Sequence, residues 1–532
     1  MMTIAGRHRI GVIGGGSAGY LAALALRTQC PAVEVTLIES SKQAIIGVGE
    51  GTTPVMLPFL HGYLGIDLAE LISEVQPTWK IGVSLDWGPK GGEAFQFPFS
   101  APYLSDSYVR TGTINHAGLA SELMNRRCGL HMIQPDLSLK SLAPVVPFAY
   151  HLENQRFVKH LAKVARRAGV RWIDAHLVDH KLADGGDLAS VRADDGREFA
   201  FDLFVDCSGF RSALLGGVLG VGFKSYASSL FTDAALAGAA PHHGKLAPYT
   251  GCDTLDAGWC WSVPQLEEDR RGYVFSTDHL SPDAAEAEMR RHCPGLGEVR
   301  LVRFAPGRRT AWWVRNVVAI GNSYGFVEPL QATALHMIVH EAVMLVKWIR
   351  KGWPLNRGHE SVNQQIAAIW DDICALIALH YKYNFRRNTA FWRRARAEVD
   401  LLALTPVIRE AIRTGSVSRL VARGDLEMGS GAARDVDLVL LGLRLVRADQ
   451  LNTTVDDEGW AEVRRRLSTQ TAQALSAASS VKASRRQPRS VNFEEAAWYS
   501  AIVGLLKELP KKKADGAEMP VLLSVPAITN VS

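Results

Sequence analysis

No stretch of this sequence approaches eighteen uncharged apolar residues, so nothing in it reads as a membrane-spanning helix. Cysteine is scarce. The seven present (Cys30, Cys128, Cys207, Cys252, Cys260, Cys293 and Cys374) are an odd number with no C-x-x-C pair, which argues against a disulfide framework and against a zinc site. A reducing cytoplasm is the setting this usage fits. An excess of one charge is also lacking. The 59 Lys and Arg against 54 Asp and Glu leave +5 on 532 residues, too little to imply a nucleic-acid partner. The basic runs, Arg308-Arg309, Arg386-Arg387, Arg393-Arg394 and Lys511 to Lys513, are scattered. There is no internal repeat, and no signal-peptide pattern precedes the first strand at Arg9. What remains is the composition of an ordinary globular protein, in a chain long enough for two closely packed domains.

The chain is organised around residues 9–39. Ile10 to Ile13 reads as a strand, and Gly14, Gly16 and Gly19 form G-x-G-x-x-G. Ser17 and Ala18 lead into an Ala/Leu-rich helical stretch through Leu26, and Val33 to Ile38 reads as a second strand ending at Glu39. Strand, tight turn, helix, strand and acid in that order make a dinucleotide-binding unit. One glycine forms the turn, one admits a pyrophosphate, and one lets helix and strand approach. The helix N-terminus faces the diphosphate, and Glu39 holds a ribose hydroxyl. A second such fingerprint is absent. A pyridine nucleotide therefore binds only transiently, or reduced flavin arrives from elsewhere.

Further along, Gly47 to Pro54 (G-V-G-E-G-T-T-P) predicts a glycine-rich loop ending in a helix start, with Thr53 as N-cap and Pro54 at the first helical position. Residues 55–77 read as helical with a break at 62–65. Residues 80–87 alternate, which predicts one strand with Lys80, Gly82, Ser84 and Asp86 on one face. Residues 88–145 read as irregular and 151–168 as an amphipathic helix. Leu203 to Val205 reads as a buried strand that brings Asp206 and the Gly209 turn beside the nucleotide. Residues 223–320 read mostly as strands, with a short helix at 282–292. The turn through Gly321, Asn322 and Gly325 leads to a helix over about 332–350, whose free N–H groups suit a flavin ring or a small anion. Residues 360–420 read as helical, the Ser/Arg-rich 477–490 as a loop, 492–508 as a last helix, and the end from Pro510 as loosely held.

These stretches resemble the flavin-dependent halogenases of the tryptophan-halogenase family over about residues 9–400, more weakly to the end. The matching pieces are G-G-G-S-A-G-Y at 14–20, G-V-G-E-G-T-T-P at 47–54, W-K-I-G-V-S-L-D-W at 79–87 and D-C-S-G-F-R-S at 206–212. W-C-W-S-V-P at 259–264 stands for the family's W-x-W-x-I-P, with Val263 for Ile. G-R-R at 307–309, I-G-N-S-Y-G-F-V-E-P-L at 320–330 and L-H-Y at 379–381 complete the set. The resemblance implies an α/β protein: a FAD-binding nucleotide fold of the glutathione-reductase/hydroxylase-like type, with an inserted mixed sheet and a mostly helical C-terminal substrate region. On that plan residues 1–85 and 146–222 form the FAD-binding domain and 86–145 a substrate-region insertion. Residues 223–310 form a sheet-rich tunnel region, 311–350 the flavin-contacting strand, turn and helix, and 351–532 the helical cover. FAD would be held at Gly14, Gly16, Ser17, Ala18, Gly19, Glu39, Gly49, Asp206, Gly209, Gly321, Asn322 and Gly325.

The same resemblance implies a reaction. A separate NAD(P)H-dependent reductase supplies FADH2, which with molecular oxygen and a bound halide yields hypohalous acid. The acid crosses a tunnel to a lysine, matched here by Lys80, which holds it by hydrogen bond or as a haloamine. Chloride or bromide is then installed on an electron-rich indole, phenol or pyrrole. Thr333 and Ala334 match the halide site, with Ala334 where relatives commonly have glycine. Gln331 and Ala332 stand where the best-studied members have the glutamate and serine of P-L-E-S-T. A glutamine neither carries a negative charge nor takes a proton at neutral pH. Either the substrate is activated enough to do without a carboxylate, or another acid, Glu328 or Glu50, covers the role. Glu328 also reads as a cap of the following helix. His151 and His380 read as structural, and Phe493, Trp498 and Tyr499 as core or as a wall over the substrate. No nucleic acid and no membrane enter this picture, and a homodimer is compatible with it. The alternative is a flavin monooxygenase or oxidase on the same fold; a flavin-binding protein without turnover is a remote third.

Overall fold

The structure, a computed structural model, describes residues 8–42, 49–352, 354–426, 428 and 430–508. Gly47, Val48, Lys511 to Lys513 and the end from Pro510 lie outside the described residues.

Short β-branched and apolar runs build a six-stranded sheet. Arg9–Ile13 lies parallel between Glu34–Glu39 and Leu203–Asp206, with Val12 opposite Leu37 on one side and Val205 on the other. Arg171–Asp174 extends one edge; Val317–Ala319 and then the antiparallel Trp313–Val314 extend the other. Ile10, Val12, Leu37 and Val205 are fully buried, as strands covered on both faces must be. The helix Ser17–Gln29 covers this sheet and packs against the helix Thr333–Arg350. This is the α/β nucleotide fold that the first forty residues predict.

A seven-stranded sheet follows in the order Arg300–Arg303, Ala234–Pro241, Glu268–Phe275, Gly258–Pro264, Thr250–Leu255, Gly82–Asp86 and Phe95–Pro98. Its strand Gly258–Pro264, the W-C-W-S-V-P stretch, is buried throughout. A third, small sheet joins Glu50–Gly51, Ala149–Leu152 and Thr78–Lys80. From Glu360 the chain is mostly helical. The segment Leu330–Arg350 is long and apolar enough to cross a membrane by composition, but 89% of its apolar window is buried inside the protein, where it serves as core.

Several expectations need correction. The single strand expected over 80–87 is two. Thr78–Lys80 pairs with Ala149–Leu152, whereas Gly82–Asp86 pairs with Thr250–Leu255 and Phe95–Pro98. The chain changes sheets at Ile81, so Lys80 and Gly82 do not share an open face. A Cβ on Gly82 would stand 2.7 Å from the Met124 sulfur. The region 88–145 holds regular elements, among them Leu104–Thr111, Leu119–Asn125 and Cys128–Ile133. Residues 477–486 form a helix, not a loop. Ser476 caps it, and the buried Ser480 hydroxyl meets the Leu130 N–H at 2.9 Å and His131 Nδ1 at 2.8 Å. Ser476 is an exposed cap, and Ser480 and Ser484 are small buried contacts rather than breakers. The helix expected from 151 starts at Asn154, because Ala149–Leu152 is a strand. Phe493 and Trp498 are core: both pack their rings on Phe148, at 5.5 and 5.9 Å between centroids. The seven cysteines are buried free thiols. Cys260 and Cys293 bring their sulfurs to 3.9 Å, and His292 joins them within 4.8 Å, a grouping that sequence distance conceals.

Candidate active site

A groove of about 520 Å³ opens beyond the C-terminal ends of the central parallel strands, where such folds bind nucleotides. A Cβ on Gly14 would lie 2.2 Å from the Cys207 carbonyl oxygen, and one on Gly19 would lie 1.8 Å from that of Gly14. Turn, helix and neighbouring strand therefore approach only because both are glycine. Gly16 has no protein atom within 4 Å of its Cβ position and opens onto the groove. The helix beginning at Ser17 has no side-chain cap and no acid in its first turn, so its first N–H groups are free for a diphosphate. Glu39 receives Tyr20 OH at 2.7 Å and Trp172 Nε1 at 2.5 Å, both on Oε1, which leaves Oε2 for a ribose hydroxyl. Ser17, Ala18, Gly209, Asn322 and Ala334 line the same groove. These residues fit FAD.

Besides Gly19, which lets helix and turn approach, four residues expected to touch the cofactor do not line that groove. Asp206 is fully buried and accepts from the Ser208 N–H and hydroxyl and from the N–H groups of Leu214 and Leu215. It shapes the turn that carries Gly209. The Gly321 N–H donates to Glu341 Oε2 at 2.7 Å, and Trp370 Nε1 donates to Oε1 at 2.9 Å. Burial pushes the Glu341 carboxyl up to about 8. Gly325 pairs with Arg308 and lies against the Trp370 ring. Gly49 lies against Arg270 and lines a separate recess. In their place the groove gains Glu50, Asn154 and Phe210. Asn154 Nδ2 donates to Glu50 Oε1 at 3.1 Å, and burial pushes that carboxyl up to about 7.

Beside the groove lies a small cavity of about 30 Å³, edged by Phe97, Phe99, Gln331, Leu376 and Asp435. Residues 50–53 and 331–334 form the wall between the two. Glu50 and Ala334 line the groove; Thr53 and Thr333 line the cavity. Gly51 sits within this wall. A Cβ there would lie 3.3 Å from Lys80 Nζ, 3.2 Å from Thr250 Oγ1 and 3.6 Å from the Ala332 Cβ. Lys80 is 1% exposed, and among the described residues its amine makes no hydrogen bond or ion pair. The Phe99 ring lies 5.6 Å from Nζ. Burial without a counter-charge lowers this amine to about 7.

The loop that approaches Gly51 is bent. Gln331 (φ 68°) and Ala332 (φ 59°) are consecutive left-handed residues, each costing roughly 1–2 kcal/mol. The turn stops the preceding segment and starts the helix at Thr333 with no side-chain cap. The Thr333 hydroxyl is buried without a hydrogen-bond partner among the described residues. An uncapped helix start with an orphaned hydroxyl suits a small anion. Ala334 lies inside the helix, where alanine offers its N–H as glycine would.

His380 Nδ1 donates to the Leu376 carbonyl oxygen at 2.8 Å, so its Nε2 carries the lone pair. The Gln331 amide nitrogen donates to that Nε2 at 3.3 Å. His380 therefore orients Gln331, more than the structural role expected of it. Burial lowers this imidazole to about 4, which keeps it neutral. Glu328 does not cap the following helix and does not edge the cavity. Its carboxylate receives Trp259 Nε1 at 2.8 Å, Tyr381 OH at 2.7 Å and Thr232 Oγ1 at 2.7 Å. It ties the W-C-W-S-V-P and L-H-Y stretches together, and burial pushes it up to about 7. His151 is buried between Thr250 Oγ1 at 2.9 Å and Thr78 Oγ1 at 3.3 Å.

Known proteins match the chain along most of its length. The family model described as tryptophan halogenase matches residues 9–422. Tryptophan 6-halogenase SttH of Streptomyces toxytricini is 30% identical over 434 residues, 74% of this chain and 82% of that protein. Tryptophan 7-halogenase RebH of Lentzea aerocolonigenes is 28% identical over 414 residues, 72% of this chain and 78% of that protein. The crystal structure of MibH, a lanthipeptide tryptophan 5-halogenase, overlays with a TM-score of 0.87 at 37% identity, over 94% of this chain and 99% of that one. BrvH, a flavin-dependent halogenase from Brevundimonas sp. BAL3, overlays at 0.76 with 28% identity, over 90% and 99%.

Proposed function

This chain belongs to the tryptophan halogenase family and is a flavin-dependent halogenase, and from that premise we propose that it installs chloride or bromide on the indole of a tryptophan through an oxidised halogen handed to Lys80. The observation that carries the reading is the position of Lys80: a buried amine, without a hydrogen-bond or ion-pair partner among the described residues, at the wall between the nucleotide groove and a small cavity edged by Phe97 and Phe99.

Reduced FAD, with oxygen and halide, supplies hypohalous acid when bound. The protein's own residues do the rest. Gly14, Gly16 and the helix start at Ser17 bind the diphosphate, and Glu39 fixes the ribose. The uncapped N–H groups from Thr333 to Leu335 hold the halide near the groove. Lys80, with neutral and charged forms of similar abundance near neutral pH, donates to the acid or accepts its halogen. Gln331, oriented by His380, bounds the cavity. A separate flavin reductase is the partner, since only one dinucleotide fingerprint is present.

The cavity of about 30 Å³ is smaller than an indole, so side chains at its edge move when substrate enters. A tryptophan carried within a peptide is the substrate form we favour. The support is the stronger overlay with the lanthipeptide enzyme (TM-score 0.87) than with SttH (0.77).

The test is reconstitution with a flavin reductase, FAD, NADH, oxygen and bromide, against free tryptophan, tryptophan-containing peptides, phenols and pyrroles, read by mass spectrometry. Bromide-dependent bromination of an indole is expected. An oxygenated product formed without halide would instead establish a monooxygenase.

A further inference from the structure

Resting on the halogenase reading, we propose that Asp435 is a catalytic residue of the cavity: its carboxylate faces the indole, stabilises the cation formed on halogen transfer, and removes the ring proton.

Asp435 belongs to the helix Ser430–Gly442, which packs against the strand Phe95–Pro98 and the helix Glu360–Lys382. It is 6% exposed and edges the cavity that Phe99 and Gln331 also edge. Among the described residues its carboxylate accepts no hydrogen bond and forms no ion pair. Two residues on, Asp437 is equally buried, but it accepts from the Ser416 hydroxyl and from the N–H groups of Val417 and Ser418. The fold therefore satisfies one buried acid of this helix and leaves the other to face the cavity. Burying an unpaired carboxylate costs stability, and a ligand-facing position is a physical reason to keep one.

The chemistry of the cavity needs such a group. A ring carbon's π pair forms the new bond to halogen, while the halogen's bond to its carrier, the hypohalous oxygen or Lys80 Nζ, breaks with the pair going to that carrier. The C–H pair then returns to the ring as the proton leaves for an Asp435 oxygen. Passing that proton to the departed hydroxide or amine closes the balance, so ArH and HOX become ArX and water. Of the polar groups edging the cavity, Thr53, Gln331 and Thr333 are not bases and Arg434 is a cation. His336 has its Nδ1 paired with Thr53 Oγ1 at 2.9 Å, and burial lowers it to about 3. Asp435 remains, and burial pushes its carboxyl up to about 7, suited to a base at neutral pH. Arg434 donates to the Phe99 carbonyl oxygen at 2.9 Å, pinning this helix to the strand end beside Lys80.

The experiment uses the full chain with reductase, FAD, NADH, oxygen and bromide, and a short tryptophan peptide with the indole carbons protiated or deuterated. Asp435→Asn should lower bromination about 100-fold or more while reduced-flavin oxidation continues. It should also expose a primary isotope effect, because ring deprotonation becomes slow. Gln331→Glu in the Asp435→Asn background should recover part of the rate by returning a carboxylate to the same cavity. Circular dichroism confirms that each variant folds. Bromination by Asp435→Asn at the wild-type rate overturns the inference alone. A slowed variant with no isotope effect and no recovery overturns it too, as a structural role. A wild-type protein that brominates none of the tested indoles overturns the halogenase reading itself.

Discussion

Gly51 and Lys80 meet where the flavin groove and the aromatic cavity come together: the missing side chain of Gly51 leaves 3.3 Å between its Cβ position and the lysine amine. The backbone of Gly51 is extended within the small sheet, so a β-branched residue suits its conformation. Gly51→Val is therefore expected to fold but to fill the space beside Nζ. Halogenated product should fall at least about tenfold, the effect of roughly 1.4 kcal/mol on the barrier, with reduced-flavin oxidation unchanged. Equal product from Gly51→Val and wild type would mean the halogen travels by another path.

Lys80 links stability to pH. Its folded value of about 7 lies below the ordinary 10.5, so between those values the unfolded chain binds the extra proton. Stability contributed at this site therefore rises with pH across that window, by about 1.4 kcal/mol per unit of displacement, and the burial penalty is fully present below about 7. Lys80→Met should be more stable than wild type in urea denaturation at about pH 7, with the gap closing near pH 10. A gap independent of pH would show that the amine is solvated.

Gln331 donates to the lone pair of His380. Gln331→Glu sets a carboxylate against that lone pair and favours protonation at Nε2, raising His380 from its depressed value of about 4. A new pH-dependent limb in the rate profile and a shifted His380 NMR titration are the expected signs. An unchanged titration would place residue 331 out of contact with the imidazole.

Glu328 accepts from three buried side-chain donors. Glu328→Ala strands them, at roughly 1–3 kcal/mol for each unsatisfied group. A fall in melting temperature of several degrees is expected, with a smaller fall for Glu328→Gln. A thermal midpoint equal to wild type would remove Glu328 from the scaffold.

Local signals made the nucleotide unit legible. Turn, helix start and acid lie within one short stretch, and the strand Gly258–Pro264 and the helix Pro282–His292 stand where alternation and periodicity predict them. Lys80 was legible as a residue but not as a position. Two-residue alternation is blind to a strand that changes sheets, and the switch at Ile81 is set by pairing with residues 95–98, 149–152 and 250–255. Nothing local in the sequence marks Asp435; that it edges the cavity and lacks a partner among the described residues shows only in the packed helix. Asp206, Gly321 and Gly325 stand close to groove-lining residues in sequence, while their hydrogen bonds and packing support the turns behind the groove.

The most direct measurement is one reaction followed two ways, reduced-flavin consumption and brominated tryptophan peptide, for wild type and Lys80→Ala side by side. The account predicts equal flavin consumption and no brominated product from the variant. Bromination by Lys80→Ala at the wild-type rate, or loss of flavin consumption along with product, would contradict it.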